Sequence, residues 1–238
     1  MFVYQETVIP VTAEVIVATD DNYDDAIDRG VEVLKEGGII VYPTDTSYGI
    51  ACDPRNEEAI SRLLDIKRRD AGMGVPLLFA DLDQCEKYAD MGSLEKVLAR
   101  LFWPGMLTMV VTPIETLPEH ITGNRTSLAI RVPNHPIPRG LAKGLGAPIV
   151  GTSANRTGGS SPFDIQTARE QLGDDVDLYI DCGPSDSDKN STIIGVEEEG
   201  SIKVYREGQL TINDLSETLK VDSDALKLWT SRIVYADM

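Results

Sequence analysis

Short, continuous apolar runs recur along the chain and are bounded by glycine, proline or polar residues. A run of this kind, without polar alternation, is typical of a strand that is covered on both faces. The clearest example extends from Ile39 to Tyr42, after a pair of glycines, and stops at Pro43. The pattern predicts strands at residues 39–42, 48–52, 76–80, 107–112, 128–132, 148–151, 176–181, 192–196 and 201–205, with a weaker alternation at 2–9 and 14–18.

Longer segments between these runs carry apolar residues at helical spacing. In the first of them Ile27, Val31 and Leu34 share one face, and Asp20-Asp21-Asn22 offers an N-cap. A second helix is predicted to begin at Asn56, whose side chain can cap free backbone amides. The other predicted helices cover residues 93–102, 136–144, 164–172 and 211–219, and the last ~18 residues are weakly patterned.

The apolar stripe of the second helix continues onto a lysine. Lys67 lies seven positions after Ile60, so its ammonium is expected near the protein body and not in bulk water. A basic residue in a last turn also complements the helix dipole. The position by itself therefore leaves a purely structural role open.

Two predicted strands run directly into polar segments. The first ends in Thr44-Asp45-Thr46-Ser47, and the strand at 148–151 leads into a loop of hydroxyls, an amide and glycines at 152–162, ahead of the helix at 164–172. The second layout presents backbone amides and hydroxyls to phosphate. Neither a Walker nor a dinucleotide-binding fingerprint is present. Composition alone leaves open a structural turn and a loop without a ligand.

Arg131 lies near the end of an apolar strand. A guanidinium in such a segment usually has an anionic partner. The partner is either a ligand or one of the many carboxylates of the protein.

The composition indicates a globular protein. With 238 residues and 42% hydrophobic content, the chain can form a normal packed core. It has neither a basic, apolar N-terminal leader nor a membrane-length apolar window, so we expect a soluble, cytoplasmic protein. Three widely spaced cysteines suit neither a disulfide framework nor a zinc site, so we expect reduced thiols and no metal-ligating cluster.

The formal net charge of −17 disfavours tight autonomous binding to a polyanion. The densest basic cluster comprises Arg62, Lys67, Arg68 and Arg69. Such a cluster in an acidic protein indicates either an anionic ligand at one place or an ordinary solvated charge pattern.

Six motifs in this order resemble those of the YrdC/Sua5 family of threonylcarbamoyl-AMP synthases. The resemblance runs from about residue 22 to 208, and the motifs are Pro43-Thr44-Asp45-Thr46-Ser47-Tyr48-Gly49, Lys67-Arg68-Arg69, Trp103-Pro104-Gly105, Ala129-Ile130-Arg131-Val132-Pro133, Ser153-Ala154-Asn155 and Ser191-Thr192-Ile193. The family implies a single α/β domain, with a twisted mixed sheet and flanking helices around a large concave cavity. We expect this domain at 1–208, with its core at about 22–208, and a short extension at 209–238.

The resemblance also implies a reaction. L-Threonine, bicarbonate and ATP, the last with Mg²⁺, give L-threonylcarbamoyladenylate and pyrophosphate, on the route to t6A37 of tRNAs that read ANN codons. The product would pass to downstream tRNA threonylcarbamoyl-transferase proteins, with weak direct tRNA binding at best. The chemistry brings several anions together, which suits a site of cations and hydroxyls without a nucleophile triad.

Site residues follow from the matching motifs. Lys67 and Arg69 match a catalytic, phosphate-facing pair. The resemblance implies L-threonine contacts from Thr46, Arg131, Gly151 and Ser191. It implies ATP contacts from Lys67, Arg69, Ser127, Ser153, Asn155, Ser161 and Arg206.

The sequence departs from the family pattern at three places. Asp70 stands where the family commonly has proline, and the loop over 71–75 is about two residues longer. Ala80 replaces a histidine found in many longer Sua5 members. The separate C-terminal domain of the long form is expected to be missing, with only residues 209–238 in its place.

Two further functions were weighed. A non-catalytic RNA-binding module conflicts with the net charge of −17. A carbamoyl-transfer domain of the hydrogenase-maturation type would come with acylphosphatase and zinc-finger segments, which this sequence does not contain.

Overall fold

The computed structural model describes residues 12–114, 117–123, 125–198, 200–221 and 233–235. Helices and strands alternate along these residues. The helices are α1 (Tyr23–Lys35), α2 (Glu57–Lys67), α3 (Leu82–Cys85), α4 (Ser93–Phe102), α5 (Glu119–Thr122), α6 (Pro136–Leu145), α7 (Ile165–Leu172) and α8 (Ile212–Val221). The strands are β1 (Glu14–Val17), β2 (Ile40–Tyr42), β3 (Gly49–Ala51), β4 (Leu77–Leu78), β5 (Ala89–Asp90), β6 (Leu107–Pro113), β7 (Leu128–Arg131), β8 (Ile149–Val150), β9 (Thr152–Ser153), β10 (Leu178–Asp181), β11 (Thr192–Val196), β12 (Ile202–Arg206) and β13 (Ile233–Tyr235).

The strands form two sheets. The first has the order β1-β10-β2-β3-β9, with parallel pairing from β1 to β2 and antiparallel pairing onward. The second has the order β13-β12-β11-β6-β7-β4-β8, and β5 pairs with β6. Both parallel and antiparallel pairs occur in it. The predicted α/β fold with mixed strand pairing and flanking helices is confirmed, with the strands divided between two sheets.

The chain passes from one sheet to the other at Gly151. This residue lies between β8 of the second sheet and β9 of the first. A Cβ at Gly151 would lie 2.3 Å from Cγ of Leu78, and its amide donates to the Pro76 carbonyl at 2.8 Å. A Cβ would fit in this gap only if Leu78 moved, so glycine lets the crossover residue lie directly against β4 of the second sheet.

Two apolar clusters cover opposite faces of β2. Val41 belongs to the larger cluster, which also contains Met109 and Ile130 of the second sheet. Ile40 belongs to the smaller cluster, which includes Leu34 of α1 and Leu141 of α6. Consecutive strand residues point to opposite faces, so the predicted burial of this strand on both faces is confirmed.

Both predicted N-cap positions are confirmed, but only one of the two side chains makes a capping bond. The Asn56 side chain accepts from the Ala59 amide at 3.1 Å, as expected. Asn22 occupies the N-cap position of α1 but makes no capping bond to the helix. Its side chain accepts instead from the Thr19 amide at 2.6 Å and donates to the Val17 carbonyl at 3.1 Å. Asn22 therefore shapes the preceding turn.

Five short elements are absent from the sequence prediction. They are α3, α5, β5, β9 and β13. The weak strand predicted at 2–9 lies outside the described residues. Among those described, α8 buries Leu215 and Leu219 in the larger cluster, and β13 pairs with β12. No helix in the described ranges has the length and apolar character needed to cross a bilayer.

Candidate active site

A pocket of about 560 Å³ is lined by residues of both sheets. Strands β3 and β9 contribute from the first sheet, together with the turn between β2 and β3. Strands β4, β6, β7, β11 and β12 contribute from the second. Gly151, at the crossover, also lines it. The lining combines cations and hydroxyls with an apolar floor, and its described residues include no carboxylate.

In the turn after β2, Thr44 stabilises the backbone and Thr46 places its side chain at the pocket. The Thr44 hydroxyl donates to the Ser47 carbonyl at 2.7 Å and accepts from the Thr46 amide at 2.9 Å. The Thr46 side chain is buried, and its Oγ1 lies 3.1 Å from Oγ1 of Thr44. Ser185 fixes the turn further, because its hydroxyl donates to the Thr46 carbonyl at 2.5 Å. Thr44 thus stabilises the turn that carries Thr46.

Arg131 reaches from the second sheet to this turn of the first. Its Nη1 donates to Oγ1 of Thr46 at 2.9 Å, its Nε donates to the Gly105 carbonyl at 2.8 Å, and its Nη2 forms an ion pair with Asp45. The Arg131 and Asp45 side chains are only 6% and 8% exposed. Burial lowers the pKa of Arg131, and Asp45 opposes that shift. The second Asp45 oxygen is buried without a partner among the described residues. We call Asp45, Thr46 and Arg131 the Arg131 cluster.

Lys67 lies beside the pocket and not on its surface. Its side chain is buried, as the apolar stripe predicted. Its ammonium donates to the carbonyls of Ser153 and Asn155, to the latter at 2.8 Å. Burial, and then the charge of Arg69, lower the pKa of Lys67 to about 7, whereas the two carbonyl acceptors favour its ammonium form. Lys67 therefore joins the end of α2 to the loop after β9.

Arg69 lines the pocket and has no carboxylate partner among the described residues. The chain reaches it through Arg68, which ends α2 in the left-handed conformation at φ 52°. Arg69 Nη1 makes one long hydrogen bond, 3.4 Å, to Oγ1 of Thr152. Its Nε is buried and unpaired. Burial lowers the pKa of Arg69, and the nearby charge of Arg125 lowers it further. We call Arg69, Arg125 and Thr152 the Arg69 cluster.

The loop after β9 is held by its own amide side chain. Asn155 accepts from the Ser153 hydroxyl at 2.5 Å and donates to the carbonyls of Arg156 and Gly159 at 3.0 and 2.9 Å. The following helix, α7, is capped by Asp164, which accepts from the Thr167 amide at 2.7 Å. The Asp164 carboxylate thus occupies one amide of that helix end, and phosphate binding by the loop ahead of it stays a prediction. Ser153 remains on the pocket surface.

The far side of the pocket joins β11 and β12. The Ser191 hydroxyl lies 2.8 Å from Oγ1 of Thr108, and Arg206 donates to the Ser191 carbonyl from Nη2 at 2.8 Å. The same Nη2 lies 3.2 Å from the Ser191 hydroxyl. The pairing of these neighbouring strands thus places a serine and an arginine together at the pocket.

Most of the predicted site residues meet at this pocket. Those that line it are Thr46, Arg69, Ser127, Arg131, Gly151, Ser153, Ser191 and Arg206. Three predicted ligand contacts are not on its surface, because their side chains are used within the protein. These are Lys67, Asn155 and Ser161, the last of which accepts from Asn190 at 2.8 Å.

Sequence reasoning missed several residues of the site. Asp45 stood inside the predicted turn, and Asn190 directly precedes the predicted Ser191. These positions were available signals. Arg125 and Tyr205 also line the pocket, but nothing in their sequence context separates them from ordinary surface residues. Their relevance follows from the tertiary structure alone.

The comparison with known families decides the classification. A family model named for Sua5, YciO and YrdC, and described as telomere recombination, matches residues 32–208. The chain belongs to this family. The resemblance inferred from the six motifs is thereby confirmed.

Two curated members of the family show how far the similarity extends. The threonylcarbamoyl-AMP synthase of Vibrio vulnificus (strain YJ016) is 37% identical over 153 residues, which cover 63% of this chain and 82% of that protein. The putative threonylcarbamoyl-AMP synthase of Mycobacterium tuberculosis (strain CDC 1551 / Oshkosh) is 34% identical over 197 residues, covering 82% of this chain and 90% of that protein. The similarity thus extends over most of each relative.

A solved structure of the family has the same fold. The crystal structure of P. abyssi Sua5 complexed with L-threonine matches with a TM-score of 0.79 at 27% identity. The match covers 87% of this chain and 60% of that protein. This chain therefore corresponds to somewhat more than half of the longer P. abyssi Sua5.

Proposed function

We propose that the chain is a threonylcarbamoyl-AMP synthase. It would convert L-threonine, bicarbonate and ATP into L-threonylcarbamoyladenylate and pyrophosphate, for t6A37 of ANN-decoding tRNAs. The observation that carries the proposal is the pocket itself: arginines and hydroxyls converge there in a protein of net charge −17, and no described carboxylate lines it. Family membership and the names of the relatives support the choice of substrates.

The Arg131 cluster, with Gly151 and Ser191, is the proposed L-threonine side. The Thr46 hydroxyl and the Arg131 guanidinium lie together and buried, so they can hold a hydroxyl and a carboxylate of a small amino acid. The P. abyssi Sua5 complex with L-threonine supports an amino-acid site in this fold. In this arrangement Asp45 is a positioning residue for Arg131.

The nucleotide side is proposed at Arg69, Ser127, Ser153 and Arg206, which line the remaining pocket. Asn155 and Ser161, predicted as ATP contacts, would then act by shaping the loop that carries Ser153. Lys67 holds the same loop through two carbonyls. A direct catalytic role for its ammonium requires it to leave these carbonyls, so we assign Lys67 as a positioning residue and Arg69 as the catalytic cation.

The geometry supports two consecutive steps. The threonine amine attacks bicarbonate, forming a C–N bond with loss of water, and gives a carbamate. A carbamate oxygen then attacks the α-phosphorus of ATP, and the bond to the departing pyrophosphate breaks. Negative charge accumulates on the phosphoryl oxygens in the second step, and a preorganised guanidinium such as that of Arg69 stabilises it.

Mg²⁺ is proposed to enter with ATP. Protein magnesium sites usually supply one or two carboxylates beside substrate phosphates. The described lining residues supply hydroxyls and cations instead, and the described part of the chain contains no group of three or more potential metal ligands. The pocket therefore does not build a magnesium site of its own, and the ion would be held by the phosphates, where it neutralises their charge.

The enzyme class and organisation follow from the same proposal. Transfer of an adenylyl group to the carbamate makes the enzyme a nucleotidyltransferase. We propose a catalytic domain at 1–208 with a short extension at 209–238, which the end of the family match at residue 208 supports. The product would pass to tRNA threonylcarbamoyl-transferase proteins, and direct tRNA contact would be weak at this net charge.

The test is a reconstituted reaction. The purified protein is incubated with bicarbonate, labelled ATP, Mg²⁺ and either L-threonine or no amino acid. Pyrophosphate release and a labelled adenylate that both depend on L-threonine are expected. Pyrophosphate release that is the same without threonine, or no release at all, would contradict the proposal.

A further inference from the structure

Arg125 is a pocket residue to which no role has been assigned so far. It lies six positions before Arg131, in the segment that leads into β7, and it lines the pocket from an exposed position. Among the described residues it forms no ion pair and no hydrogen bond. In a protein with 39 acidic and 22 basic side chains, a pocket arginine with no ion pair in the described part of the chain stands out.

Two glycines fix the segment that carries Arg125. A Cβ at Gly123 would lie 2.5 Å from the Gly72 carbonyl oxygen, and a Cβ at Gly74 would lie 2.4 Å from the Thr122 carbonyl oxygen. Both glycines have positive φ, 61° and 64°. The Val75 amide donates to the Ile121 carbonyl at 2.8 Å across the same contact. The loop after Arg69 and the segment before Arg125 are therefore held directly against each other.

This contact brings two like charges into one pocket. The Arg125 charge is close enough to lower the pKa of Arg69, after the larger effect of burial. Arg69 has an unpaired buried Nε and a single long hydrogen bond. Two guanidiniums without an anion repel each other, and a ligand carrying several negative charges would remove that cost. The pair is arranged for an anion with more than one charge.

We propose that Arg125 binds, together with Arg69, the terminal phosphates of ATP and the pyrophosphate that is released. This inference rests on the proposed function and adds a substrate-binding residue to it. A pyrophosphate group presents oxygens on two phosphorus atoms, so each guanidinium can pair with one of them. The single carboxylate of an amino acid matches Arg131 instead, since that guanidinium already lies beside the Thr46 hydroxyl.

The exposed position of Arg125 also suits the leaving group. The Arg131 cluster is buried, whereas Arg125 lies where the pocket meets solvent. An anion at this position is also attracted into the pocket against the negative field of the whole protein.

The experiment measures binding, not turnover. Isothermal titration calorimetry gives the Kd of inorganic pyrophosphate and of AMP, without Mg²⁺, for the wild-type protein, Arg125→Gln and Arg100→Gln. Arg100 is an exposed arginine of α4 that does not line the pocket, so its loss changes the net charge equally. Arg125→Gln is expected to weaken pyrophosphate binding about tenfold or more, the scale of one lost charge-assisted contact.

The other values are expected to stay constant. AMP binding should differ by less than about twofold among the three proteins, and Arg100→Gln should bind pyrophosphate like the wild type. Equal pyrophosphate affinity in Arg125→Gln and Arg100→Gln, equal losses for pyrophosphate and AMP in Arg125→Gln, or no pyrophosphate binding by the wild type would each overturn the assignment. The threonine-dependent reaction of the wild type is measured alongside. If that reaction occurs and Arg125→Gln binds normally, only this inference fails; if it does not occur, the proposed function fails.

Discussion

The two cationic clusters of the pocket are built in opposite ways. In the Arg131 cluster every guanidinium nitrogen has a protein acceptor, and the ion pair with Asp45 is almost completely buried. In the Arg69 cluster the only described hydrogen bond of the two arginines is the long one from Arg69 to Thr152, and neither arginine has a described carboxylate partner. The charge of Arg131 is therefore neutralised by the protein, whereas the charges of Arg69 and Arg125 are left for a ligand to neutralise. Removing a charged side chain should accordingly lower stability in the first cluster, and should lower catalysis or binding without a loss of stability in the second.

The largest effect is expected from Asp45→Asn. Removing one partner of a buried ion pair leaves the Arg131 charge uncompensated, so the free energy of unfolding should fall by about 3 kcal/mol or more. Urea denaturation measures the change. Asp65→Asn, at an exposed position of α2, is the matched control and should cost less than about 0.5 kcal/mol. A loss below about 1 kcal/mol for Asp45→Asn would show that the Arg131 cluster does not depend on its ion pair.

Arg69→Ala should show the reverse behaviour. Because Arg69 stabilises no protein carboxylate, the free energy of unfolding should not fall. The kcat/KM for ATP should fall at least ~100-fold, the scale of losing one preorganised charge-stabilising group. Steady-state kinetics with Arg100→Ala as the surface control measure this. Near-normal turnover would remove Arg69 from the catalytic machinery.

Lys67 joins the end of α2 to the loop after β9, and its charge state can be tested through the pH dependence of stability. Its pKa is lowered from 10.5 to about 7 in the folded protein. Between these values the unfolded chain binds the proton and the folded chain does not, so stability rises with pH across this window. Relative to Lys67→Met, the wild type should gain about 1–2 kcal/mol between pH 7 and pH 9.

The comparison with Lys67→Met isolates this lysine because the other titrating groups are common to both proteins. Urea denaturation at several pH values supplies the data. Parallel stability curves for the two proteins would mean that the carbonyls of Ser153 and Asn155 keep the ammonium charged throughout. Lys67 would then be a permanently charged tie between α2 and the loop.

The smallest effect is expected from Thr46→Ala. It removes one hydroxyl from the Arg131 cluster but leaves the ion pair intact, so KM for L-threonine should rise about five- to tenfold. The KM for ATP should stay unchanged. Thr46→Ser keeps the hydroxyl and should behave nearly like the wild type. An unchanged KM for threonine in Thr46→Ala would move the amino-acid site away from this turn.

The main elements could be predicted because their buried residues form continuous apolar runs in strands and regularly spaced apolar stripes in helices. The run from Ile39 to Tyr42 and the stripe ending at Lys67 are examples, and both have the predicted burial. The short elements β9 and α5 contain no continuous apolar run and are too short to show a period. Their formation depends on partners that are distant in the chain.

The sequence could predict most of the residues that line the pocket, but it could not predict which side chains form hydrogen bonds and ion pairs with each other. Motif resemblance identified eight of the lining residues named above, including Arg131 and Arg206. The Asp45 partner of Arg131 lies 86 positions away, and the Lys67 acceptors lie 86 and 88 positions away. Pairings at such separations depend on how the two sheets meet. Arg125 was missed for the same reason, because the segment before it meets the Arg69 loop through tertiary contacts, among them those at Gly74 and Gly123.

The crossover at Gly151 makes one wall of the pocket out of backbone. Gly151 lines the pocket, and the covalent link between the two sheets at this point is one residue long. An alanine there would place a methyl group 2.3 Å from Leu78 Cγ, so Leu78 or the crossover itself would have to shift. A shift of the crossover would change the shape of the pocket, although no side chain of the Arg131 cluster had changed. This part of the pocket surface thus depends on the absence of a single methyl group.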